Sequence, residues 1–127
     1  MALHESAVQC MRKLCEGSTP WGIPVACLSE FMSTVTHPTR FKPASDLPTA
    51  IAQVNFWLNA PSACVLHSGN DHWRILAELA SVAKLQGGQF HDARVAAICI
   101  ENGVDLLYSS DRDFSRFKAL KTFNPLV

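Results

Sequence analysis

One run of residues, HDARVAAICIENGVDLLYSSDRDF from His91 to Phe114, constrains the fold of this chain more than any other. Asp92 stands at the start of an apolar helix, Gly103 ends that helix, and Leu106, Leu107 and Tyr108 form a short strand with Asp111 just beyond it. A helix followed directly by a strand makes one layered α/β unit. Such a unit delivers Asp92 and Asp111 to one edge, so their separation in sequence is a property of the fold rather than of a local motif.

Similar alternation extends through the rest of the chain. Leu3, Ala7, Met11 and Leu14 recur at helical spacing, with Glu5, Gln9, Arg12 and Lys13 on other faces and Gly17 as a stop. A turn from Ser18 to Gly22 leads to Ile23 and Pro24, a short strand, and then Leu28, Phe31, Met32 and Val35 mark a helix closed by His37-Pro38. Glu30 lies inside that helix. A loop punctuated by Pro38, Pro43 and Pro48 carries Arg40 and Lys42, and Leu47, Ile51, Val54 and Leu58 define a helix capped by Asp46. Cys64, Val65 and Leu66 read as a short buried strand. Asn70 or Asp71 then caps a helix carrying Trp73, Leu76, Leu79, Ala80 and Ala83, ended at Gly87-Gly88. After the helix over 92–102 and the strand over 106–108, the pattern predicts a helical turn over 113–117 and a last strand over 120–123. Strands alternating with helices predict a parallel sheet.

At 127 residues with 48% hydrophobic side chains, the chain has the size and apolar content of one compact domain over 1–127. Charged residues make up 17%, below the roughly 25% typical of soluble domains. That deficit predicts a surface partly covered by a partner or a second copy. With 11 basic and 11 acidic side chains no global field attracts nucleic acid or anionic membrane, so any such contact rests on local basic patches. Five cysteines without a CxxC spacing argue against a disulfide framework or a zinc knuckle and predict mostly buried thiols. The five histidines lack the HExxH spacing of a zinc site. No apolar run reaches the length of a membrane span, and the N-terminus has no signal-type apolar segment, so the cytosol is the expected compartment.

Chemistry is concentrated in the acids. In a parallel α/β sheet ligands gather outside the carboxyl ends of the strands, an edge within reach of Glu30, Asp92 and Asp111. Convergent carboxylates suit Mg²⁺, a hard cation that takes oxygen ligands and keeps several waters. Such an ion activates water for attack on a phosphodiester. Each acid also has an ordinary reading: Glu30 as part of a solvated face, Asp92 as a helix-start acid favoured by the macrodipole, Asp111 as the cap of the following turn. Asp113 is the better cap by position, which leaves Asp111 for the site. Ser109 and Ser110 are turn residues whose hydroxyls are placed to orient a carboxylate or a water.

In order and context these segments resemble the PIN-domain ribonucleases, particularly the VapC-type toxins of bacterial toxin-antitoxin pairs. The resemblance is carried by PWGIPVACLSEFMSTVTHP (20–38), FHDARVAAICIENG (90–103), SSDRDFSRF (109–117) and LKTFNPL (120–126), and spans essentially the whole chain. It implies a three-layer α/β/α fold with a short parallel sheet, and RNA cleavage at a Mg²⁺ or Mn²⁺ site. Glu30, Asp92 and Asp111 would be the catalytic metal-binding acids, with Asp113 an auxiliary ligand. It also implies a homodimer and a cognate antitoxin. Arg40, Lys42, Arg112 and Arg116, with Lys118 and Lys121, are candidates for contacting RNA phosphates.

The family opens with an apolar strand ending in a metal-binding Asp, whereas this sequence opens on MALHESAVQCMRKL, which matches the helix after that strand. Taken at face value, this predicts impaired activity or, as the alternative, a non-catalytic PIN module that binds an antitoxin or dimerises. It also predicts unpaired strand edges, covered by an upstream strand, a partner segment or a rearranged core.

Overall fold

The computed structural model describes residues 2–40 and 43–126, with side chains from residue 5 onward. In chain order the elements are α1 (Ala2–Glu16), β1 (Trp21–Pro24), α2 (Val25–Val35), α3 (Leu47–Leu58), β2 (Ala63–Leu66), α4 (His72–Ala83), α5 (Gln89–Glu101), β3 (Leu107–Tyr108), a 3₁₀ turn (Arg112–Arg116) and β4 (Thr122–Phe123). The result is a mixed α/β fold with a short parallel sheet. The described strands pair as two two-stranded sheets, β1 with β2 and β3 with β4, rather than as one sheet. In the second the strands are parallel, with Leu107 opposite Thr122 and Tyr108 opposite Phe123. The chain divides into two compact units, residues 11–65 and residues 66–127 together with the first ten.

In the unit of residues 11–65, β1 runs straight into α2 at Pro24, whose extended backbone (ψ 135°) precedes the first helical residue. Ala26 and Val35 are buried on α2, and Phe31 meets Trp57 of α3 edge-on with ring centroids 5.0 Å apart. Asp46 caps α3 as its position predicts, its Oδ1 accepting from the Thr49 N–H at 3.2 Å. Ser62 ties the unit together. It accepts from Trp21 Nε1 at 3.1 Å and donates to the Leu14 carbonyl at 3.2 Å. Cys64 is exposed, contrary to the buried strand expected there, because a two-stranded sheet leaves one face open.

The other unit is organised around α5. Its sequence QFHDARVAAICIE is apolar on nearly every side after Asp92, and Ala93, Val95, Ala96, Ala97, Ile98 and Cys99 are all buried. A helix apolar all round must lie inside the molecule. Three alanines allow its neighbours to approach closely, and α4 and the 3₁₀ turn both pack against it. Cys99 is the one buried thiol among the described residues; Cys10, Cys15 and Cys27 are half-buried. α4 buries no residue completely, and Trp73 is 73% exposed where the helical pattern placed it in the core. A bulky indole is often left partly in water when the helix that carries it has only one packed side.

Both connections to α5 depend on left-handed residues. α4 stops at Lys84 (φ 53°), ahead of Gly87-Gly88, because Lys84 adopts the left-handed cap itself. At the far end Gly103 (φ 69°) closes α5 as expected, with its N–H on the Ile100 carbonyl and the Val104 N–H on the Cys99 carbonyl. This paired closure satisfies carbonyls that a helix end otherwise leaves open.

The C-terminal end of α5 also grips the loop that follows β2. Glu101 Oε1 accepts from the Gly69 N–H at 2.7 Å and Oε2 from the Asp71 N–H at 3.0 Å. Asn102 Nδ2 donates to the His67 carbonyl at 2.9 Å and to that of Ile98 at 2.8 Å. A Cβ on residue 69 would stand 2.6 Å from Glu101 Oε2, so a larger residue there would push the carboxylate out of this position. Nothing in the local sequence of either segment announces the clamp, since its partners are 32 residues apart.

Candidate metal centre

Asp92 lies in the first turn of α5, immediately before six residues that are almost all buried. That packing fixes the helix start and with it the direction of the half-buried Asp92 side chain. The second contribution comes from the far end of β3. Ser109 Oγ accepts from the Asp111 N–H at 3.0 Å, and Asp111 Oδ1 accepts from the Asp113 N–H at 2.8 Å. Phe114 and Phe117 are buried, with ring centroids 6.2 Å apart, and hold the 3₁₀ turn against α5.

Asp111, Asp113 and Asp92 thereby meet. One carboxylate oxygen from each lies within 4.8 Å of the others. Asp92 is half-buried, whereas Asp111 and Asp113 are exposed. Sequence position favoured Asp113 as the cap of the turn, but Asp111 takes that role. The reason is local geometry: at φ −86° and ψ 115°, Asp111 has the extended backbone of a cap residue, and its side chain reaches the amide two residues on. Capping does not remove Asp111 from the site, because a carboxylate offers about four lone-pair positions on two oxygens. Ser109 orients Asp111 through its backbone amide, an indirect form of the role expected of a hydroxyl there.

The donor set fits a hard divalent cation. Oxygens on opposite sides of Mg²⁺ at about 2.0–2.1 Å each stand about 4.2 Å apart. Adjacent oxygens on such an ion stand about 2.9 Å apart, and three oxygens within 4.8 Å of one another are near enough to converge on one ion. Three carboxylates so close repel one another, and a cation between them converts that repulsion into attraction.

The other candidates are not members of this trio. Glu30 is exposed on α2, in the unit of residues 11–65. Arg40 is exposed in the loop after α2, where its N–H meets His37 Nδ1 at 3.3 Å, and Lys42 lies outside the described residues. Arg112 is exposed at the start of the 3₁₀ turn. Arg116, at its end, pairs with Asp113 at 3.6 Å and is 27% exposed. Arg116 also lines a cleft of about 510 Å³ walled by Ile75, Leu79 and Val82 of α4, Ile100 of α5, and Phe117 and Lys118. Among the described residues no helix is long and apolar enough to cross a membrane.

Comparison with known proteins identifies the context of these acids. Ribonuclease VapC43 of Mycobacterium tuberculosis is 34% identical over 116 residues, 91% of this chain and 78% of that protein. Ribonuclease VapC33 of the same species is 32% identical over 125 residues, covering 97% of this chain and 85% of the relative. Ribonuclease VapC37 is 27% identical over 122 residues, covering 96% and 84%. The PIN domain matches residues 2–120, a span that contains α5, β3, the 3₁₀ turn and all three clustered acids. This chain belongs to the PIN-domain family.

Proposed function

We propose that this chain is a metal-dependent endoribonuclease of the VapC toxin type. The meeting of Asp92, Asp111 and Asp113 at the start of α5 carries the reading, set in a family whose similar members are named ribonucleases. In this reading Asp92 and Asp111 are principal ligands of Mg²⁺ or Mn²⁺, Asp113 is auxiliary, and Glu30 supplies a further carboxylate. The bound ion would activate water and neutralise charge developing on the phosphate oxygens. The protein's own contribution is placement: buried α5 fixes Asp92, the capped turn fixes Asp111, and the Phe114–Phe117 pair holds that turn against the helix. Arg112 and Arg116 stand on the same turn as Asp113, suited to backbone phosphates rather than to bases. Arg40 and Lys42 are candidates for a second stretch of the RNA backbone.

By the same resemblance the chain forms a homodimer, acts in the cytosol and is held inactive by a cognate antitoxin. The direct test is cleavage of single-stranded RNA by the purified protein with Mn²⁺, beside Asp92→Asn and Asp111→Asn. Cleavage by the unaltered chain should exceed that of either variant by more than the roughly 10–100-fold typical of losing an outer-shell partner of a metal site. Equal cleavage by all three would remove these acids from the mechanism. Heat of Mn²⁺ binding that vanishes in Asp92→Asn would place the ion at this cluster even if turnover is slow.

A further inference from the structure

Arg116 faces two ways. Its guanidinium pairs with Asp113, a member of the acid trio, and the same half-buried residue lines the cleft beside α4, whose wall also carries Glu78. We infer that Arg116 is a built-in counter-ion of the metal centre, competing with the divalent cation for Asp113, and that Glu78 receives its guanidinium when the cation takes its place. The inference rests on the metal-site reading and adds to it a positioning residue with two alternative partners.

The three acids on the cleft wall are not equivalent. Glu101 accepts from the amides of Gly69 and Asp71, and Asp71 is paired with Arg74 at 3.7 Å. Glu78, exposed on α4, has neither a hydrogen bond nor an ion pair among the described residues. It is therefore the one carboxylate of that wall still open to a cation. Lys118 shares the wall but is exposed and makes no pair with Glu78. Arg116 is the cation whose present partner has another use.

The Arg116–Asp113 contact is easily exchanged. At 3.6 Å it is longer than the roughly 2.7–2.9 Å of a strong charge-assisted hydrogen bond, and the exposure of Asp113 lets solvent screen it. With no ion bound, it sets one positive charge beside three carboxylates whose oxygens lie within 4.8 Å of one another, and so relieves their repulsion. A divalent cation brought to the same oxygens is repelled by that charge and must also take Asp113 from it. Turning the guanidinium into the cleft removes both obstacles, and there the Glu78 carboxylate offers it a new partner. Asp113 thus joins the ion after Asp92 and Asp111, and Arg116 sets how tightly the ion is held.

The test is isothermal titration of the purified, metal-free protein with Mn²⁺ at fixed ionic strength. Arg116→Gln, which removes the charge and keeps a polar side chain, should bind Mn²⁺ about threefold to tenfold more tightly than the unaltered chain. Arg116→Lys keeps the charge and should stay near the unaltered affinity. Glu78→Gln should weaken binding about threefold in the unaltered chain, yet change nothing when added to Arg116→Gln, because no guanidinium is left to receive. Melting curves identify a variant that fails to fold, and Arg116→Met, which keeps an apolar stem against the cleft wall, repeats the measurement if Arg116→Gln does. Affinity unchanged or weakened on loss of the Arg116 charge would overturn the competition. An equal loss from Glu78→Gln in both backgrounds would make Glu78 a distant charge and overturn the handover. Absence of Mn²⁺ binding in the unaltered chain, or binding kept in Asp92→Asn, would overturn the metal reading itself, a result distinct from either.

Discussion

The two ends of α5 carry acids in opposite situations. At its C-terminal end Glu101 receives two backbone amides, at 2.7 and 3.0 Å, and serves as a brace for the loop over residues 67–71. At its N-terminal end Asp92 has for neighbours the oxygens of Asp111 and Asp113, within 4.8 Å. Both carboxylates stand on the same well-packed helix, so packing does not distinguish a structural acid from one proposed as a metal ligand. What surrounds the oxygens does. Glu101 has both oxygens taken by backbone amides of one loop, whereas the trio, although Asp111 also accepts the Asp113 N–H and Asp113 pairs with Arg116, brings three carboxylates within reach of one point.

This contrast is open to attack at several points, the most severe being the rod that joins the two ends. Ile98 is 2% exposed, and Ile98→Ala should cost about 2–5 kcal/mol in denaturant unfolding and loosen both ends together. If metal binding survived intact in a clearly destabilised variant, the helix would not be what positions Asp92. Next in size is the effect of the ion. Mn²⁺ at a hundredfold excess over its Kd should add about 2.7 kcal/mol to stability. That gain should appear in the unaltered chain and in Glu101→Ala but not in Asp92→Asn; a gain in all three would put the ion elsewhere.

Glu101→Ala should itself lose about 1–3 kcal/mol, since two amides forfeit a charged acceptor, and hydrogen exchange at Gly69 and Asp71 should accelerate while Mn²⁺ binding is kept. Gly69→Ala should reproduce that loosening through a clash with the carboxylate. The smallest effect separates the two duties of Asp111. Asp111→Ala should cost about 1 kcal/mol by removing the cap, whereas Asp111→Asn should cost only a few tenths because asparagine caps nearly as well. Both should lose the ion. An Asn variant that still bound it would assign Asp111 to capping alone.

Much of this was legible in the residues. The helix around Ala93 to Ile100, its closure at Gly103 and the delivery of Asp92 and Asp111 to one edge follow from pattern and stop signals that act within a few residues. That Asp113 lies beside Asp111 and Asp92 was legible, but which of Asp111 and Asp113 caps the turn was not. Either could cap the turn, and the backbone angles at Asp111 decided between them. The clamp between Glu101 and Gly69 was invisible because its partners are distant in sequence and neither has an unusual neighbourhood. Exposure of Trp73 and Cys64 was missed for a different reason. Periodicity marks an apolar face, but whether another element covers that face depends on the sheet's extent, and here the described strands stop at two per sheet.

The alanines of α5 bear on how activity can be lost and kept. Ala93, Ala96 and Ala97 are fully enclosed, so almost any enlargement there strains the fold, and the stretch leading to the site is closed to variation. The acids lie at the opposite extreme, two of them exposed and one half-buried. Changing a carboxylate to its amide at those positions leaves the interior untouched. If the proposed function holds, a silent copy of this protein is one such substitution away from an active one, and the two would be nearly indistinguishable in shape, stability and every contact of the core.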